Sequence, residues 1–218
     1  MQQDIIAVFP LPNVVFFPRT RLPLHIFEPR YCEMVKQTLK NHQLIGMFVL
    51  ESGWEQNYYG NPPVYPVGCA GEIVHATELE DGKYDIVLQG LYRARAIEEV
   101  QMNPYRKARV EILSEKISGP KQIIHKAQRN LISDFRKLCV ESGNIDSSAL
   151  DQMKDFSELV NNVAMLLPLE LDVKLDLLYE ENIVRRATML EDILRKQLAM
   201  FSWIKQYSRL RPKEPDVN

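Results

Sequence analysis

The sequence predicts an α+β protein: a small β barrel or rolled sheet carrying one helix, followed by a bundle of four helices. Two observations carry that expectation. Up to about residue 117 the apolar residues come in short runs rich in β-branched and aromatic side chains, closed by proline or glycine; this is the pattern of strands joined by turns. After Gly119-Pro120 they recur every three or four positions instead, the period of one helix face. With 218 residues, 45% hydrophobic and 26% charged, the chain has an ordinary globular composition and enough length to bury a core. The expected parts are a β-rich 1–117, a helical 118–210, and a polar, proline-broken tail, 211–218, expected to be disordered.

In the first part, strands are expected at 5–9, 14–17, 22–27, 44–50, 67–77, 84–88, 93–97 and 105–113. Glu80-Asp81-Gly82-Lys83 predicts the tight turn before Tyr84, since glycine accepts positive φ without a Cβ clash. Many short strands at close spacing predict a small barrel or a rolled sheet. One helix interrupts them. Pro29 suits a first turn, Glu28 suits the positive end of the helix dipole, and Tyr31, Met34, Val35, Thr38 and Leu39 share one face as far as Asn41. The segment 51–66 is long for a connection and holds Trp54, Tyr58, Tyr59 and Tyr65.

In the second part, Ile124, Ala127, Leu131, Phe135 and Leu138 mark a helix stopped by Gly143. Phe156, Leu159, Val160, Val163 and Leu167 mark another, stopped by Pro168. Asp172 is placed to cap a short third helix with Leu175 and Leu178, and a long stripe from Ile183 to Ile204 draws a fourth. The four are expected to pack antiparallel.

The search for chemistry is mostly negative. The formal net charge is −2, with neither half polarised, which argues against a nucleic-acid binder. Cys32, Cys69 and Cys139 are scattered and odd in number, so neither a disulfide framework nor a zinc knuckle is expected. No phosphate-binding loop, nucleophile elbow or HExxH is present. His25, His42, His75 and His125 are isolated, and a lone strand histidine is more often structural than catalytic. The adjacent acids Glu98-Glu99 and Glu180-Glu181 diverge and are expected to be solvated. No metal, cofactor or catalytic residue is therefore expected. With no leader-like segment and no apolar run long enough to span a bilayer, a soluble cytoplasmic protein is expected.

Two groups remain as binding candidates. Trp54, Tyr58, Tyr59 and Tyr65 sit on the long loop, where aromatics serve either as recognition anchors or as packing against the barrel. Arg93, Arg95, Arg106 and Arg109, with Lys107, share strand faces and would form an anion patch if neighbouring strands merged them. The alternative is a charged outer face balanced by Glu98, Glu99 and Glu111.

Phe9-Pro-Leu-Pro-Asn-Val-Val-Phe-Phe-Pro18, followed by Leu22-Pro-Leu-His-Ile-Phe-Glu-Pro-Arg-Tyr31 and Met34-Val35, resembles the entry motif of the Lon protease N-terminal domain family. Val67 to Val74, Asp81 to Tyr84, Leu88-Gln-Gly-Leu-Tyr-Arg93, Pro104-Tyr105-Arg106 and Lys174 to Leu190 extend the resemblance over nearly the whole chain. It implies a PUA-like pseudo-barrel before the helices. It also implies a non-catalytic module that holds unfolded or degron-bearing polypeptides, alone or for a proteolysis machine. The ATPase and protease domains that follow this region in Lon are not expected here. PUA-like barrels also occur in RNA-modification proteins, so RNA binding is the alternative. A leftover apolar stripe on the last helix would allow self-association.

Overall fold

The computed structural model describes residues 3–57, 60–143, 150, 153 and 155–210. Six strands form one sheet: β1 (Gln3–Leu11), β2 (Arg21–Ile26), β3 (Ile45–Val49), β4 (Val67–Glu78), β5 (Tyr84–Gln101) and β6 (Lys107–Leu113). Their order is β2-β5-β4-β3-β1-β6, and β5 also pairs with β6. That last pairing closes β5, β4, β3, β1 and β6 into a barrel, to which β2 adds along the first half of β5. All pairings are antiparallel except β1 with β3.

Two strand expectations need correction. The runs 84–88 and 93–97 are one 18-residue strand, β5, whose first half pairs with β2 and whose second half pairs with β6. Gly90 lies between the two runs and serves a close approach: a Cβ there would stand 2.3 Å from the Phe17 carbonyl oxygen. Val14–Phe17 form no strand. Val15, Phe16 and Phe17 are buried, Phe16 in the barrel core and Val15 and Phe17 among the helices. Burial on two sides, rather than pairing, explains their composition.

Helix α1 (Pro29–Asn41) covers the barrel with Tyr31, Met34, Val35 and Thr38, and ends on a left-handed His42. Its Met34 and Val35 are fully buried beside Ile26, Ile86 and Leu88, each such side chain contributing about 2 kcal/mol of transfer free energy. The expected turn is present, with Gly82 at φ 78°.

The second part holds α2 (Lys121–Ser142), α3 (Phe156–Leu166), α4 (Leu171–Tyr179) and α5 (Ile183–Leu210). Gly143 ends α2 in the left-handed conformation, as expected. Asp155 caps α3 by accepting from the Glu158 amide at 2.8 Å. Asp172 does not cap α4; Glu170 holds that position and Asp172 lies in the first turn.

The antiparallel arrangement is also corrected. Asn130 donates to Glu191 and Lys205 pairs with Glu141, so the contacts between α2 and α5 advance along both helices and the two run in the same direction. The cause lies at their origins. A parallel bridge joins Lys116 to Asn182, with Lys116 N donating to Glu181 O and Ile183 N to Lys116 O, each at 2.8 Å. Both helices leave that bridge together, and the chain returns between them through α3 and α4. The tail 211–218 lies outside the described residues.

The helical core includes residues of the first part, two from barrel strands and two from the segment between β1 and β2. Val15, Phe17, Val49 and Val67 pack in the same cluster as Leu131, Phe135, Val160 and Leu190. The seam between the two parts is therefore an apolar interface as well as a chain connection.

Candidate functional site

The segment 51–66 begins and ends on the barrel. Leu50 bridges Val64, Glu51 N donates to Pro63 O, and Tyr65 N donates to Val49 O. Between these anchors Trp54–Asn57 makes one 3-10 turn, in which Trp54 is partly exposed. Tyr65 is half-buried and packs against the helical core. Tyr58 and Tyr59 lie outside the described residues.

Two open grooves touch this segment, one at Pro66 and one at Gly60-Asn61. The larger, about 490 Å3, follows the seam between barrel and helices. Pro66, Val67, Ile112 and Leu113 give it apolar wall, and Tyr179, at the end of α4, overhangs it with 38% of its surface exposed. The second groove, about 310 Å3, runs between the start of α1, Gly60-Asn61 and the turn Met102–Arg106. There Arg30 pairs with Glu28 at 3.0 Å and its guanidinium sits 4.6 Å from the Tyr31 ring centroid.

The four arginines do not share one patch. Arg93 is buried beneath the seam groove and donates to the carbonyls of Ser114, Leu178 and Tyr179 at 2.9–3.2 Å. Arg106 is buried between strand and loop, donating to Pro62 O at 2.8 Å and pairing with Glu99. Arg95 pairs with Glu111 at 3.1 Å and Arg109 with Glu98 at 3.5 Å across β5 and β6. Glu99, expected to be solvated, is thus the counter-ion of a buried guanidinium. Burial, then the nearby Arg186 charge, lowers the Arg93 pKa; hydrogen bonds to three carbonyls hold its protons in place.

One group was missed from the sequence. Arg186 is fully buried and donates to Glu115 at 2.6 Å, to Asn161, and to Glu180 O. It lies beside the Phe17 ring, 5.8 Å from the centroid. A signal was present: Arg186 falls between Ile183 and Leu190 on the apolar side of the last helix. An arginine at such a position needs an acid across the core.

The Tyr179 hydroxyl is pushed up, first by burial and then by Tyr65 and Glu51, so it stays a neutral donor at the groove mouth. His25 pairs with Asp85 at 2.7 Å and His75 with Thr77 at 3.3 Å, both on exposed strand faces. Among the described residues no group of three or more His, Cys, Asp or Glu is placed to hold a metal, and no helix is long and apolar enough to cross a membrane.

Residues 5–196 match the family model described as the ATP-dependent protease La (LON) substrate-binding domain. Among curated relatives, Lon protease 2 of Myxococcus xanthus is 34% identical over 116 residues, 53% of this chain and 14% of its own. Lon protease of Trichlorobacter lovleyi is 25% identical over 202 residues, 91% of this chain and 25% of its own. The chain therefore spans a quarter or less of the length of these two relatives. Two solved structures share the fold. One is a Lon N-terminal domain protein from Xanthomonas campestris, with a TM-score of 0.59 at 22% identity, covering 86% of this chain and 96% of that one. The other is the N-terminal domain of Mycobacterium avium complex Lon protease, with a TM-score of 0.62 at 13% identity, covering 88% and 98%.

Proposed function

The chain belongs to the LON substrate-binding domain family, and from that premise we propose that it is a non-catalytic, cytoplasmic module that binds polypeptide. Its ligands are unfolded or degron-bearing segments, which it holds alone or delivers to a proteolysis machine. The seam groove and the aromatic segment beside it form the binding surface.

One observation supports this reading above the others. The seam groove has an apolar wall, and its rim charges are neutralised in pairs, Arg95 with Glu111 and Lys116 with Glu181. Such a trough suits an extended, largely uncharged chain, whose backbone the Tyr179 hydroxyl can meet. A polyanion needs unpaired cations, and Arg93, Arg95, Arg106 and Arg109 are all engaged. That argues against the RNA alternative.

The test is fluorescence anisotropy with a labelled unfolded polypeptide. Tyr179→Ala and Trp54→Ala should each weaken binding, by about tenfold if they anchor it, with unchanged thermal unfolding. Unchanged affinity in both would remove the site from the seam and the segment 51–66.

A further inference from the structure

The distal half of α5 carries an apolar seam that the domain does not use. Seen along the helix, Ile183, Ala187, Leu190, Leu194 and Leu198 face the other helices. Met189, Ile193, Lys196, Met200, Trp203 and Tyr207 follow one another along an adjacent face at alternating steps of four and three residues, the spacing of coiled-coil core positions. Met189 and Ile193, at its start, pack against the domain's own helical core. Met189 and Ile193 are partly covered, but Met200, Trp203 and Tyr207 are 55%, 65% and 63% exposed. These three lie beyond residue 196, where the family match ends. Trp203 and Tyr207 already stack, 5.7 Å between centroids and 18° between planes, so little side-chain freedom is left to lose on docking.

We propose that this seam pairs with the same seam of a second copy, as an antiparallel two-helix contact centred between Met200 and Trp203. The 3.5-residue period specifies a helix as occupant, and the charges specify its direction. A parallel, in-register pair would set Lys196 against Lys196. The antiparallel register sets Lys196 over the ring of Tyr207 of the partner subunit, a cation–π contact. It also sets the Met200 sulfur against Trp203 of the partner subunit. The surface is self-complementary, as a two-fold contact requires.

The area sets the strength. About two-thirds of a Trp and a Tyr with half a Met amounts to roughly 400 Å2 per copy, half of the ~800 Å2 typical of a stable interface. The association is therefore weak, with a dissociation constant on the order of 100 μM.

Sedimentation equilibrium of the full chain from about 10 to 500 μM tests it. The weight-average mass should climb toward twice the monomer value, and Trp203→Glu and Lys196→Glu should each hold it at the monomer value, with far-UV circular dichroism unchanged. In a Trp54→Phe background the Trp203 emission should shift to the blue over the same range. A monomer throughout would overturn the proposal. So would a dimer that survives Trp203→Glu, which would place the contact elsewhere. Neither readout involves polypeptide ligand, so this proposal and the binding reading fail separately.

Discussion

Arg186, on α5, donates to the Glu115 carboxylate at 2.6 Å from a side chain with no exposed surface. Glu115 follows the last barrel strand and Arg186 opens the last helix, so this pair pins the barrel to the helices, with Asn161 of α3 as a third member. The cost of desolvating both ions is offset only while the network is complete.

Glu115→Ala should therefore destabilise the fold by about 3–5 kcal/mol, because it leaves a buried guanidinium without its counter-ion. The double variant Glu115→Leu with Arg186→Met should recover most of that loss. Urea unfolding of the three proteins decides it. Equal losses in the single and double variants would mean that the pair is incidental.

Gly90→Ala should cost about 3 kcal/mol, since the new Cβ would meet the Phe17 carbonyl, backbone that cannot swing aside. Gly82→Ala has open space and only the penalty of its φ of 78°, about 1 kcal/mol. Thermal melts should rank the two in that order.

Burial, aided by the Glu115 charge, pushes the Cys69 thiol well above its usual range. The unfolded chain then ionises at a lower pH than the folded one, so stability is complete below the ordinary thiol range and falls as pH rises through it. The slope approaches about 1.4 kcal/mol per pH unit for this group. The stability difference between wild type and Cys69→Ala should shrink between pH 7 and pH 10. A constant difference would show that the thiol does not ionise differently in the two states. In native protein at pH 7, alkylation should reach Cys32 before Cys69, since Cys69 is buried and Cys32 only partly so.

Much of this was legible in the sequence because local rules and tertiary structure agree. Pro29 begins α1, Gly82 makes its turn and Gly143 ends α2, each at the expected residue. Where they disagree, a distant partner decides. Val14–Phe17 have strand composition because they enter two cores at once. The 84–88 and 93–97 runs join because β2, β4 and β6 all pair along one continuous strand. The parallel course of α2 and α5 follows from a bridge between residues 116 and 182, which no local pattern encodes. The candidate site was legible in part. The segment 51–66 announced itself by length and aromatics, whereas the Tyr179 wall needs the end of α4 brought against the barrel. For the arginines, the balanced face rather than the merged patch is what forms, with Glu111, Glu99 and Glu98 pairing with Arg95, Arg106 and Arg109. The burial of Arg93 against the carbonyls of Ser114, Leu178 and Tyr179 depends on distant segments and had no local signal.

The proposed binding of polypeptide, and not of RNA, separates the two readings of this module. The most direct measurement titrates the purified protein into labelled unfolded polypeptide, with labelled structured RNA in parallel at two salt concentrations. Saturable binding to polypeptide, weakened by Tyr179→Ala, with none to RNA, is the predicted result. Salt-sensitive binding to RNA without binding to polypeptide would contradict it.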